Sequence, residues 1–229
     1  MVDPKTLQDP VCDFRFLLNR GYKRQTALNV VANKYQLDRE CRHLLERTVF
    51  GEQEAARRRQ KLVPALQCRH RRMALDGYNV LISIETALQG QPLLLSDDGV
   101  VRDLTAAFGR YRISAHTEQA LALVEKTLLP LQVQAVLWVF DAQVSYSGHL
   151  AQLVRERGGA LPLSVQAVTT PHVDKTLTAQ ADAILCSADR GVMNRAAAVF
   201  DLVYAVVQEW GKILSLPRCE EIYTLHQIR

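Results

Sequence analysis

The sequence contains no long apolar run, and nothing in it approaches the roughly 18–20 apolar residues that span a bilayer. Residues 1–10 also lack the basic and then apolar order of a secretory signal peptide. The 5 cysteines are an odd, scattered set, which predicts reduced thiols rather than a disulfide framework. These absences argue against a helical membrane protein and against a disulfide-stapled secreted domain. They predict a cytoplasmic location.

The common nucleotide and nucleophile motifs are absent as well. The sequence has no phosphate-binding P-loop, no glycine-rich dinucleotide fingerprint, no nucleophile elbow and no kinase signature. What remains is an ordinary globular composition, with 229 residues, 48% hydrophobic and 23% charged. That length gives room for one medium domain and one small domain. Any chemistry must therefore be sought among the acidic side chains.

The net charge of +4 conceals an uneven distribution. Residues 1–75 contain 16 Lys and Arg against 8 Asp and Glu, whereas the rest of the chain contains 12 against 16. A basic front joined to an acidic back predicts two modules, one contacting polyanions and one holding cations. A solvated, charged helical face explains the basic front equally well.

Residues 1–52 are predicted to form a small all-α domain. Apolar residues recur at helical spacing, and Asp38 is placed to cap the third helix. The predicted helices cover 9–20, 23–35 and 38–50. Three short helices of this kind are compatible with a helix-turn-helix variant.

An arginine-rich segment over 53–71 is predicted to be a basic linker helix that is broken near Pro64. Clustered arginines can contact phosphates without regard to sequence, which is compatible with a nucleic-acid partner. The alternative is a polar linker whose arginines pair with acids of the same chain.

Residues 72–229 are predicted to form an α/β domain, because apolar strand-like runs alternate with helical patterns. The predicted strands cover 72–76, 134–140, 163–168, 183–187 and 199–206. The predicted helices cover 79–88, 101–109, 116–128, 147–156, 174–180 and 190–197. Alternation on this scale is typical of a parallel sheet with right-handed crossovers.

Three of the predicted strands end on an aspartate or just before one, at Asp76, Asp141 and Asp189. Gly77 is expected to permit a tight turn after the first strand, and Asn79 to cap the helix that follows. Ligands of open parallel sheets bind beyond the carboxyl ends of the strands, so we expect the three acids to converge. Crowded carboxylates repel one another, and a hard divalent cation, Mg²⁺ or Mn²⁺, removes that conflict. Taken singly, each acid is better explained as a helix cap or turn residue, and only the set of three favours a shared site.

Other polar residues lie beside these acids in the sequence. Asp174 opens a predicted helix, and Asp98 and Asp103 lie in a turn-and-helix region. Hydroxyl, amide and basic side chains next to the acids are candidates for binding substrate phosphates. These are Asn79, Ser145, Ser147, Lys175, Ser187 and Arg190. For Ser147, an ordinary helix cap is the alternative.

Segments 76–80 (Asp-Gly-Tyr-Asn-Val), 139–142 (Val-Phe-Asp-Ala) and 186–189 (Cys-Ser-Ala-Asp) resemble the strand-end motifs of PIN-like nucleases, especially those of the NYN branch. The resemblance covers about residues 70–207. It implies a Rossmann-like, three-layer α/β fold and an acidic pocket that binds Mg²⁺ or Mn²⁺ and cleaves RNA.

The resemblance also implies roles for individual acids. Asp76 matches the first metal-binding acid, Asp141 the strand-end acid and Asp189 the late acid. Asp174 takes the place of the acid that opens the preceding helix. The acid of the middle helix is not assigned by the motif, and Asp103 is the choice, with Asp98 behind it.

The favoured function is therefore a metal-dependent ribonuclease. The alternative is a catalytically inert PIN-like module for nucleic-acid binding or assembly, and a homo-oligomer is left open. The layout, a small helical front followed by this domain, also resembles an uncharacterised prokaryotic family of unknown function.

Overall fold

The computed structural model describes residues 7–105, 111–217 and Cys219. The helices, in chain order, are α1 (Gln8–Asn19), α2 (Arg24–Lys34), α3 (Arg39–Thr48), α4 (Glu52–Arg59), α5 (Gly77–Leu88), α6 (Ala115–Leu131), α7 (Ser147–Gly158), α8 (Val173–Thr178), α9 (Arg190–Arg195) and α10 (Leu202–Val207). The strands are β1 (Arg72–Asp76), β2 (Leu93–Leu95), β3 (Val101–Arg102), β4 (Ala135–Asp141), β5 (Ser164–Thr170), β6 (Ala183–Cys186) and β7 (Ile213–Ser215). A short 3₁₀ turn covers Ala65–Cys68.

The chain folds as two compact units. The helical unit takes its described residues from 1–59, 94–104 and 213–229, and the sheet unit takes them from 60–93 and 105–212. The predicted boundaries at 52 and 71 differ from this division. Helix α4 and two distant segments belong to the helical unit, and sequence proximity gives no sign of such long-range pairing.

The helical unit packs helices α1 to α4 around an apolar core with a small sheet of order β3-β2-β7. Asp38 starts α3 as predicted, because its carboxylate accepts the Cys41 backbone N–H at 2.7 Å. The core side chains include Val11, Phe14, Leu28, Val31, Leu44 and Leu45. The predicted small helical region is therefore present, with short strands added to it.

One of the three arginines of α4 lies in the interior of the helical unit. Arg58 is fully buried, its guanidinium 3.0 Å from the Asp98 carboxylate and 4.6 Å from the centre of the Phe50 ring. Arg102 also pairs with Asp98, at 2.6 Å, and Arg59 pairs with Glu52. For Arg58 the expectation of a phosphate contact is therefore wrong, because the side chain is enclosed by acids and an aromatic ring.

The sheet unit contains a four-stranded parallel sheet of order β5-β4-β1-β6, flanked by helices. Strand β1 pairs with β4 so that Asp76 lies opposite Val139, and with β6 so that Leu75 lies opposite Cys186. Four of the five residues of β1 are buried, as expected for a strand covered on both faces. The predicted α/β class with a parallel sheet is confirmed.

The β1–α5 junction is tight, because the helix begins directly after the strand, and it brings Gly77 very close to Phe140. A Cβ added to Gly77 would lie 2.2 Å from Cε1 of Phe140, closer than any side chain tolerates. Asp76 caps α5, and Asn79 lies inside the helix. The expectation that Asn79 caps the helix is therefore wrong, whereas the tight transition from strand to helix does occur at Gly77.

Two predicted elements are also wrong. Over 199–206, only Val199 forms an isolated bridge, to Leu62 and Leu185, and the chain then enters α10. Asp201 starts that helix by accepting the Tyr204 N–H at 2.8 Å. In the predicted helix over 101–109, the first two residues form strand β3, and 106–110 lie outside the described residues.

Cys12 and Cys219 form a disulfide within the helical unit. The expectation of reduced thiols is wrong for this pair and holds for Cys41, Cys68 and Cys186. A cytoplasmic location stays a prediction and loses part of its basis. Within the described residues, every helix is too short or too polar to cross a bilayer.

Candidate acidic site at the carboxyl edge of the sheet

The strand order gives the sheet one point, between β1 and β6, at which the direction of winding reverses. From β1 the chain moves outward through β4 to β5, and it then returns to the other side of β1 to form β6. The direction of winding reverses between β1 and β6, and ligands of open α/β sheets bind at the carboxyl ends of strands at such a point. Asp76 ends β1 and Ser187 follows β6, so both lie at this position.

Asp76 and Ser187 are joined directly. The Ser187 hydroxyl donates to Asp76 Oδ2 at 2.9 Å, and the Asn79 backbone N–H lies 3.4 Å from Oδ1. The Ser187 oxygen also accepts the backbone N–H of Asp189 at 3.1 Å. Asn79 Oδ1 accepts the Ala188 N–H at 2.9 Å, which ties the start of α5 to the loop after β6. These bonds fix the two strand ends against each other.

Asp174 and Asp189 lie on neighbouring helices beside this pair. A Cβ on Gly191 would lie 3.0 Å from Asp189 Oδ1 and 3.2 Å from Asp174 Oδ2, so both carboxylates face the same point. Asp189 caps α9 by accepting the Val192 N–H at 3.0 Å. Asp174 Oδ2 accepts a hydrogen bond from Arg195 Nη2 at 3.0 Å. The helix-cap interpretation of Asp189 is thus correct, and it coexists with a place in the acidic group.

Burial and neighbouring charge both act on Asp76. The pKa of its carboxyl is raised from 3.8 to about 7, mainly by burial and to a smaller extent by the charges of Asp189 and Asp174, against the lowering effect of the hydrogen bonds from Ser187 and Asn79. A carboxylate held at such a pKa beside two other acids is the electrostatic pattern expected of a functional site. We call Asp76, Asp174 and Asp189 the acidic cluster.

Asp141 ends β4, the neighbour of β1, and accepts the Gln143 N–H at 2.8 Å within its own turn. The pKa of the Tyr78 hydroxyl is raised to about 12, first by burial and then by the negative charge of Asp141. The structure therefore brings Asp141 to the same edge of the sheet as the cluster. It gives no contact between Asp141 and the other three acids.

Asp103 and Asp98, the candidates for the middle acid, belong to the helical unit. Asp103 is buried, with Arg47 Nη2 at 3.3 Å, and Asp98 is enclosed by two arginines. Their charges are therefore compensated locally. The role predicted for Asp103 stays a prediction.

The remaining predicted substrate residues occupy the starts of three helices. Lys175 is exposed on α8, and Arg190 is the first residue of α9. Ser145 is exposed in the turn before α7, and Ser147 is the buried first residue of that helix. The helix-cap alternative for Ser147 is wrong, because Tyr146 occupies the cap position.

The donor set fits a hard divalent cation in its chemistry, because the cluster offers only carboxylate oxygens, which Mg²⁺ and Mn²⁺ prefer. Across 7–105, 111–217 and Cys219, no three His, Cys, Asp or Glu side chains are already gathered in a metal-binding arrangement. One of the three acids, Asp174, is paired with Arg195 at 3.0 Å.

Sequence reasoning missed Gly191 and Arg195. Neither belongs to a strand-end motif, and their relation to Asp174 depends on how α8 packs against α9. The only local sign of Gly191 in the sequence is that it follows Asp189 by two residues, at the predicted start of a helix.

Fold and site together define an α/β protein with an acidic cluster at the switch point of a parallel sheet. Residues 65–205 match the family described as "Domain of unknown function (DUF5616)", and the chain belongs to that family. Residues 6–61 match the description "Protein of unknown function (DUF434)". An uncharacterized protein of Methanocaldococcus jannaschii is 34% identical over 182 residues, which are 77% of this chain and 87% of that protein. No solved structure matches the chain.

Proposed function

We propose that the protein is a metal-dependent phosphodiesterase that acts on RNA, with a PIN-like, Rossmann-type sheet unit. The observation that carries this proposal is the acidic cluster, in which buried Asp76 is bonded through Ser187 to the backbone of Asp189, with Asp174 close by. Three carboxylates at one end of the sheet are costly unless a cation offsets their repulsion. The strand order β5-β4-β1-β6 also supports the PIN-like reading, because it brings the acids of three different strand ends to one edge.

In this proposal Mg²⁺ or Mn²⁺, when bound, supplies an activated water and stabilises the leaving oxygen of a phosphodiester. The residues of the chain hold and orient the reacting groups. Asp76, Asp174 and Asp189 provide carboxylate oxygens, and Asp141 provides a further acid at the same edge. Ser187 orients Asp76 through its hydrogen bond.

Basic and hydroxyl side chains at the same edge provide the contacts to the RNA backbone. Lys175 and Arg190 lie in the first turns of α8 and α9, one residue after Asp174 and Asp189 respectively. The N-terminus of α7, with Ser145 and Ser147 beside it, offers backbone N–H groups of the kind that bind phosphate. Arg72, by contrast, opens β1 at the amino end, roughly 13 Å from Asp76 along the strand.

A second candidate function is an inert module that binds nucleic acid without cleaving it. The ion pair between Arg195 and Asp174 favours this alternative, because a protein cation already neutralises one of the acids. Both functions predict RNA binding. They differ in whether a divalent cation is needed and whether a strand is cut.

Cleavage of a short, end-labelled single-stranded RNA tests the proposal. We expect cleavage by the wild type in Mn²⁺, none in EDTA, and a loss of at least roughly tenfold in Asp189→Asn, because a cation ligand is removed. Asp201→Asn is the matched control, since Asp201 also caps a helix of the sheet unit but lies outside the cluster. RNA binding without metal-dependent cleavage would instead establish the inert module. Equal cleavage by Asp189→Asn and wild type would refute the role of the cluster.

A further inference from the structure

One aromatic side chain at the carboxyl edge of the sheet is unusually exposed. Tyr146, in the turn between β4 and α7, has 77% of its surface accessible, and no other Phe, Tyr or Trp among the described residues exceeds 52%. Its backbone φ is 65°, in the left-handed region. A bulky residue in that region is strained, and a free energy cost of this kind persists only where the surroundings enforce it. Neither burial nor backbone preference explains a tyrosine at this position.

The turn that carries Tyr146 is held in place on both sides. The Val144 N–H bonds to the Asp141 carbonyl at 3.2 Å, and the Ser147 N–H bonds to the Val144 carbonyl at 3.2 Å. The Tyr146 carbonyl accepts the Leu150 N–H at 3.0 Å in the first turn of α7. Val144 itself is buried beneath the turn. The backbone is therefore fixed, and the ring projects from a rigid base into solvent.

The surroundings of the ring are polar or small. Ser145 is exposed on one side, and a Cβ added to Gly148 would meet nothing within 4 Å, so the surface at Gly148, two residues after the tyrosine, is open. His149, also exposed, follows in the helix. A surface that binds a protein partner usually carries a contiguous apolar patch. A single flat ring among polar residues is instead suited to stack against one unpaired nucleobase.

We propose that Tyr146 is a stacking platform for one base of a single-stranded RNA bound across the acidic edge of the sheet. The inference rests on the proposed RNA substrate and narrows it to single strands, because the faces of a paired base are covered by its neighbours in a duplex. The turn begins at Asp141, at the carboxyl edge where β1 and β4 end. An RNA strand with one base stacked on Tyr146 therefore has its neighbouring phosphates at that edge. Tyr146 positions the substrate and takes no part in the chemistry.

Fluorescence anisotropy with a fluorescein-labelled single-stranded RNA in EDTA measures this directly, since cleavage is suppressed. Tyr146→Asn is expected to weaken binding roughly 5- to 150-fold, the range for losing one aromatic stacking contact. Tyr146→Phe keeps the ring and is expected to bind within about twofold of wild type. The matched control is Tyr204→Asn, which removes an exposed tyrosine of α10 and is expected to leave affinity unchanged.

Asparagine tolerates the left-handed backbone, so Tyr146→Asn is expected to melt at or above the wild-type temperature. Lost affinity is then not a folding defect. Wild-type affinity in Tyr146→Asn, or equal affinity of the wild type for duplex RNA, would overturn the inference while leaving the nuclease proposal intact. Tyr146-dependent binding without metal-dependent cleavage would refute the nuclease and retain the inference. A wild type that binds no RNA in EDTA would overturn the inference, and one that also cleaves no RNA in Mn²⁺ would refute both.

Discussion

Replacing Asp76 by asparagine is expected to change the stability of the protein in opposite directions at low and high pH. Because the folded-state pKa of Asp76 is raised from 3.8 to about 7, mainly by burial, the folded protein holds one more proton than the unfolded chain between these values. The free energy of unfolding therefore falls as pH rises through this window and stays low above it. At 1.36 kcal/mol per pKa unit, the total loss is about 4 kcal/mol.

Asparagine stays neutral, so it avoids that loss, but it loses one of the two hydrogen bonds that Asp76 accepts, at a cost of about 1 kcal/mol. At about pH 8 we expect Asp76→Asn to be more stable than wild type by about 3 kcal/mol, and at about pH 4 less stable by about 1 kcal/mol. Each kcal/mol corresponds to about 2–4 °C in melting temperature for a chain of this size.

Urea or thermal unfolding in EDTA at several pH values measures the difference. The matched control is Asp201→Asn, which removes a capping carboxylate that bonds to the Tyr204 N–H at 2.8 Å but is not buried with other acids. We expect that variant to show no gain at high pH. A destabilisation of the same size at both pH values in Asp76→Asn would show that Asp76 is only a helix cap and would refute the reasoning.

Three further changes test other parts of the structure. Gly77→Ala places a Cβ 2.2 Å from the Phe140 ring and should cost about 1–3 kcal/mol in urea unfolding; an unchanged midpoint would contradict the close approach. Arg195→Gln frees the Asp174 carboxylate and should raise the affinity for Mn²⁺ by up to roughly fivefold, because exposed ion pairs contribute at most about 1 kcal/mol. A thermal-shift titration with Mn²⁺ measures this change. A lower affinity in the variant would instead make Arg195 part of the site. Arg58→Met leaves a buried aspartate with one arginine fewer and should cost about 3–5 kcal/mol in urea unfolding, whereas a neutral effect would contradict the enclosed ion pair.

The strands that carry the acids were predictable from sequence because local signals agreed. An apolar run followed by an aspartate marks β1 and β4, and both strands form within a residue of the prediction. The predicted strand over 199–206 was wrong because the local signals there do not agree. A short valine-rich run is ambiguous between strand and helix, and the capping bond of Asp201 decides for the helix.

The relations among the acids were less predictable, because they depend on packing between distant segments. The bond from Ser187 to Asp76 joins residues 111 positions apart, and the pairing of Arg195 with Asp174 requires α8 and α9 to lie together. The close approach at Gly77 could not be predicted, because the Phe140 ring that excludes a side chain there comes from another strand. Spacing along the chain carries no information about such contacts.

The central claim, that the acidic cluster holds a divalent cation, is tested most directly by isothermal titration of Mn²⁺ into the metal-free protein at about pH 8, where Asp76 is ionised. The account predicts saturable binding to the wild type, at least roughly tenfold weaker binding to Asp76→Asn and Asp189→Asn, and unchanged binding to Asp201→Asn. Equal Mn²⁺ affinity in all four proteins, or no saturable binding to the wild type, would contradict it.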